Sequence, residues 1–116
     1  MLEIITEIKN PEEIGELLKT NPGYVVIKFG ATWCGPCKKV ETQIKQNMYK
    51  LPDTVQNCVI DIDECFEIYA FFKSKRMVNG IPSLLAWKKG NISPIPDFVL
   101  SSSSSIEIEN FFANLV

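Results

Sequence analysis

Hydrophobic and polar positions change period several times along the chain, and each change marks an element. Residues 2–8 alternate apolar and polar as a strand does. Asn10-Pro11-Glu12-Glu13 then supplies the cap, the N1 proline and the first-turn acids of a helix whose apolar side is Ile14, Leu17 and Leu18. Asn21-Pro22-Gly23 reads as a turn. Residues 24–29 are almost unbroken apolar, the pattern of a central strand covered on both faces, and Lys28 is the one interruption. Gly30 to Trp33 lead into a second helix, with Val40, Ile44 and Met48 inward, which runs to about Lys50 before Leu51-Pro52-Asp53 stops it.

The second half continues the alternation of element types. Residues 54–62 form a strand through Val55, Val59 and Ile60, and residues 64–75 a helix packing Phe66, Tyr69, Ala70 and Phe72. Asn79-Gly80-Ile81-Pro82 turns into a strand at 83–87, Lys88-Lys89-Gly90-Asn91 forms a hairpin turn, and residues 94–100 form an edge strand broken by prolines. The serine run 101–105 ends in Ser104-x-x-Glu107, the spacing of a capping box, ahead of a last helix carrying Ile108, Phe111 and Phe112. Five strands and four helices in this order predict an α/β protein with a mixed sheet covered by helices on both faces.

Composition narrows the functions available. A chain of 116 residues with 46% apolar and 22% charged positions is enough for one domain, expected over residues 1–116. Net charge is −2 and basic residues occur as pairs, so nucleic acid is not an expected partner. No apolar run approaches the roughly 20 residues a membrane span needs, and the start shows strand alternation in place of a secretory signal. A reducing, cytoplasmic setting is therefore expected. Histidine is absent, which removes imidazole-activated nucleophiles and histidine-bearing zinc sites.

The chemistry that remains is in Trp33-Cys34-Gly35-Pro36-Cys37-Lys38. Two cysteines two residues apart, at a strand-to-helix junction, read as a thiol–disulfide redox motif. Cys34 is expected at the helix N-terminus, where the macrodipole favours a thiolate, and Cys37 one turn inward and less exposed. The outer thiolate would attack a substrate disulfide and the inner thiol would resolve the mixed disulfide. Gly35 is expected to let the backbone turn tightly, Pro36 to stiffen the first turn, and Trp33 to present a flat apolar surface to a partner. The competing reading, half of a zinc site, lacks a second close pair, because six residues separate Cys58 from Cys65.

With these residues in place the chain resembles the thioredoxin family. It carries Trp33-Cys34-Gly35-Pro36-Cys37-Lys38 without a mismatch, and Gly80-Ile81-Pro82-Ser83 corresponds to that family's Gly-Ile-Pro-Thr turn. The resemblance implies a thioredoxin fold with a central mixed five-stranded sheet, an initial βαβ unit and a ββα ending. It implies a cis Pro82 facing the two sulfurs and, with Gly80, Ile81 and Trp33, a substrate-binding wall on which the Ile81 backbone pairs with the substrate strand. It further implies a protein-disulfide reductase with no organic cofactor or metal, regenerated by a partner disulfide reductase, acting as a monomer or weak dimer. Glycine and proline between the cysteines, without the histidine of isomerases and oxidants, point to a reductant. Two alternatives stay open: a binding module with little turnover, and a less reducing exchange or isomerase protein.

One position departs from the family pattern. Lys28 stands where thioredoxins usually place a buried aspartate six residues before the first cysteine, and Gly30 where many carry an aromatic residue. Lys28 could lose its proton through burial and act as a base toward Cys37, stay protonated and stabilise a thiolate, or extend its stem until the ammonium reaches water. It is therefore a candidate pKa-modulating residue, expected to make the pair less reducing. Of the other cysteines, Cys58 is expected in the core and Cys65, beside Asp63 and Glu64, on the surface, where it could form a regulatory or intermolecular disulfide. Asp61 and Asp63 read as a solvated helix cap.

Overall fold

The computed structural model describes residues 2–115. Its elements are α1 (Pro11–Lys19), β1 (Tyr24–Gly30), α2 (Gly35–Lys50), β2 (Val55–Asp61), α3 (Phe66–Ser74), β3 (Ser83–Lys88), β4 (Phe98–Ser101) and α4 (Ser105–Ala113). The helix starts follow the expected signals. Asn10 caps α1 by accepting a bond from the Glu13 N–H at 3.0 Å, and Ser104 caps α4 by accepting from the Glu107 N–H at 3.3 Å.

The sheet has four strands in the order β2-β1-β3-β4. β1 and β2 run parallel, and the other neighbours are antiparallel. The expected fifth strand at residues 2–8 is reduced to one parallel bridge, Ile5 to Cys58. Ile5 donates to the Asn57 carbonyl at 3.1 Å and accepts from the Val59 N–H at 2.8 Å. The Gln56 side-chain amide donates to the Glu3 carbonyl at 2.9 Å. That side chain occupies an acceptor a longer strand would offer to backbone. The family's opening βαβ unit is thus a bridge, a helix and a strand here.

Alternation along β1 divides the interior. Val25, Ile27 and Phe29 face a core built with α1 and α3, which includes Leu18, Phe72 and Trp87. Val26 faces a second core under α2 and α4, with Ile44, Met48, Ile108 and Phe112. The same parity puts Lys28 and Gly30 on the α2 side. Lys28 is flanked by Val59 on β2 and Leu84 on β3, so an ionisable side chain stands between two apolar neighbours under the start of α2.

Candidate active site

The strand-to-helix junction sets the two cysteines. Cys34 is the N-cap of α2 and its Sγ accepts the Cys37 N–H at 3.1 Å, as a cap side chain does. The two residues are joined by a disulfide across a Cα–Cα distance of 5.2 Å. Pro36 lies in the first turn, where its missing N–H costs the helix nothing. Gly35 does not serve the expected turn. It has no left-handed φ, and a Cβ there would meet nothing within 4 Å. Cys34 and Cys37 are nearly equally covered, at 4% and 3% exposure, so the expected contrast between an outer and an inner residue is absent in the bonded state.

Facing the disulfide is the 80–83 loop. The Ile81–Pro82 peptide is cis, Pro82 is buried, and the Ile81 carbonyl oxygen lies 3.9 Å from Cys34 Sγ. Gly80 has φ +128°, a region L side chains rarely adopt, so glycine is required there. Ser83 Oγ donates to the Gly80 carbonyl and lies 2.8 Å from Ser101 Oγ, which also accepts the Asn79 N–H at 3.2 Å. These serines anchor the loop to β4. Sequence reasoning did not single them out for this, and the only signal was the serine after Pro82. Trp33 is 65% exposed, and its indole N–H donates to Asp63 Oδ2 at 2.8 Å. Asp63, in the exposed turn ahead of α3, thus also holds the tryptophan.

Lys28 is 9% exposed. Burial lowers its pKa from the ordinary lysine value, and Lys45 adds to the lowering, while Glu41 and Asp61 oppose it. Among the described residues its amine makes no hydrogen bond or ion pair. A Cβ built on Gly30 would lie 3.0 Å from Lys28 Nζ and 3.7 Å from Cys37 Sγ, so amine and inner sulfur border one space. The stem is buried and the amine ends at the wall of a cleft of about 430 Å³, which Gly30 and Cys37 also line.

Cys58 is fully buried, and desolvation pushes its thiol up to about 12, which keeps it protonated and inert near neutral pH. Cys65 is corrected. It is 5% exposed, packed in the α1/α3 core, because its N–H bonds the Asp61 carbonyl at 2.9 Å and the turn folds the side chain inward. A surface disulfide at Cys65 is not what this placement offers. Among the described residues no group of three or more His, Cys, Asp or Glu side chains is arranged to hold a metal ion, and no helix is long and apolar enough to cross a membrane.

A helix-tip disulfide opposed by a cis-proline loop, on a mixed sheet with helices on both faces, defines a thiol–disulfide oxidoreductase of the thioredoxin fold. The thioredoxin family model matches residues 6–112, and the chain belongs to that family. It is 32% identical over 87 residues to thioredoxin of Mycoplasma pneumoniae, covering 75% of this chain and 79% of that protein. It is 29% identical over 103 residues to thioredoxin of Pseudomonas aeruginosa, covering 89% and 91%. The oxidised structure of mitochondrial thioredoxin 3 from Saccharomyces cerevisiae superposes with a TM-score of 0.73 at 26% identity, covering 96% of this chain and 95% of that one. The chain is an enzyme of protein-disulfide chemistry with Cys34–Cys37 as its redox pair.

Proposed function

We propose that this single domain reduces disulfides in proteins of a reducing, cytoplasmic compartment and is itself re-reduced by a separate disulfide reductase. Cys34 is the attacking thiolate. The observation that carries this role is its Sγ at the tip of α2, accepting the Cys37 N–H at 3.1 Å with the Ile81 carbonyl at 3.9 Å on the other side. An N–H already aimed at the sulfur stabilises negative charge there without reorganisation. Cys37, one turn along, resolves the mixed disulfide. Trp33, Gly80, Ile81 and Pro82 form the wall against which an extended substrate segment lies. Electrons reside on the two sulfurs, so the cycle calls for no further cofactor, and transfer from the reductase to the substrate makes the protein a carrier. It acts as a monomer or weak dimer.

Lys28 modulates the pair. A cationic amine near the sulfurs favours the thiolate and hence the dithiol form, which makes the protein less reducing than a relative with a carboxylate there. The test of the main reading is insulin reduction with dithiothreitol as donor. The protein accelerates precipitation, and Cys34→Ser abolishes the acceleration. Parent protein that binds insulin without accelerating its reduction would mark a holding module instead.

A further inference from the structure

The loop facing the disulfide is held by two hydroxyls whose hydrogen bonds run in one direction. Ser83 and Ser101 are register partners at the end of the β3–β4 pairing, so their side chains share a face. Ser83 is fully buried and Ser101 is exposed. A serine hydroxyl has one hydrogen to donate and lone pairs with which to accept. Ser83 directs its hydrogen to the Gly80 carbonyl. Across the 2.8 Å between the two Oγ atoms, Ser101 is therefore the donor. The Ser101 oxygen in turn accepts the Asn79 N–H at 3.2 Å. The order is Asn79 N–H, Ser101, Ser83, Gly80 carbonyl, and bonds aligned in this way polarise one another.

The last acceptor carries the consequence. The Gly80 carbonyl and the Ile81 N–H belong to one planar peptide unit, which is trans, since Ile81–Pro82 is the only cis bond among the described residues. Holding that carbonyl at Ser83 turns the Ile81 N–H to the opposite side. There it has no hydrogen-bond partner among the described residues. The Ile81 carbonyl, at the other end of the residue, lies 3.9 Å from Cys34 Sγ. A backbone donor left open beside the reactive sulfur suits the carbonyl of an extended substrate segment.

We propose that Ser101 is a positioning residue for protein substrates: by donating to Ser83 it fixes the Gly80–Ile81 peptide and with it the aim of the Ile81 N–H that pairs with the substrate backbone. The proposal rests on the reading of Gly80, Ile81 and Pro82 as the substrate wall. Ser101 acts through Ser83 and takes no part in the sulfur exchange. Without its hydroxyl the Ser83 oxygen loses its donor, the Asn79 N–H loses its acceptor, and the peptide is free to rock. The Cys34 sulfur, held at the tip of α2, is left as it was.

The experiment mixes prereduced protein with insulin or with hydroxyethyl disulfide, which has no peptide backbone. Closure of the Cys34–Cys37 bond is followed by acid quenching and mass spectrometry. Ser101→Thr and Ser101→Val introduce side chains of one shape that differ in the hydroxyl. Ser101→Thr is expected to match the parent on both substrates. Ser101→Val is expected to lose about fivefold in second-order rate with insulin, the scale of one hydrogen bond, and to match the parent with hydroxyethyl disulfide. Equal loss on both substrates would make Ser101 a general prop of the site, and no loss on either would leave its hydroxyl without a role. Either result overturns the proposal, as does a threonine variant as slow as the valine one. Should Ser101→Val not fold, Ser101→Ala carries the same comparison. Parent protein that is oxidised by hydroxyethyl disulfide and not by insulin removes the wall reading itself, whereas intact parent rates with both confine a failure to Ser101.

Discussion

An amine under a disulfide answers to two forces, burial and the neighbouring charges. At Lys28 burial is the larger, so the folded pKa lies below 10.5, the ordinary value. Between the two values the unfolded chain binds the proton and the native chain does not. Stability from this group therefore climbs as pH rises through that window and is at its floor below it. Lys28→Met removes the group, so the variant should exceed the parent in urea midpoint at neutral pH, and the gap should narrow as pH approaches 10.5. A gap independent of pH would remove burial as the dominant force. The redox consequence is separate: Lys28→Asp replaces a cation by an anion beside the sulfurs and should lower the midpoint potential in a glutathione titration. An unchanged or higher potential contradicts the modulating role.

Elements were legible where backbone chemistry acts locally. Asn10, Pro11 and the first-turn acids mark the start of α1, and Ser104 and Glu107 that of α4, because capping needs only neighbours within one turn. Asn10→Ala should cost about 1 kcal/mol of unfolding free energy in urea, and a cost near zero would deny the cap its role. The missing strand at residues 2–8 was not legible. Alternation is necessary for a ladder but says nothing of Gln56, whose side chain engages the Glu3 carbonyl. The same limit hid Cys65: a hydrophilic neighbourhood in sequence did not reveal a turn that carries its side chain inward.

Across the whole molecule, β1 is shared by two cores, one under α1 and α3 and one under α2 and α4. The spacing of the two cysteines and the Gly80-to-Ser83 turn exposed the candidate site because a reactive pair needs a fixed local span. Their meeting at 3.9 Å, between Cys34 Sγ and the Ile81 carbonyl, depends on β1 and β3 pairing and on the serine bonds that anchor the loop, which are non-local. Sharing β1 should also make the chain unfold as one unit. Tryptophan fluorescence and far-ultraviolet circular dichroism should trace one urea transition, and two separated transitions would break the single-domain account.

Everything proposed for the site comes down to a Cys34 thiolate held at the tip of α2. The direct measurement is iodoacetamide alkylation of the reduced protein across a pH series, with each cysteine read by mass spectrometry. The account predicts that Cys34 titrates below free cysteine, whose pKa is about 8.5, and that glutathione disulfide protects it by closing the bond to Cys37. A Cys34 no more reactive than free cysteine at every pH, with no bond closing, would contradict it.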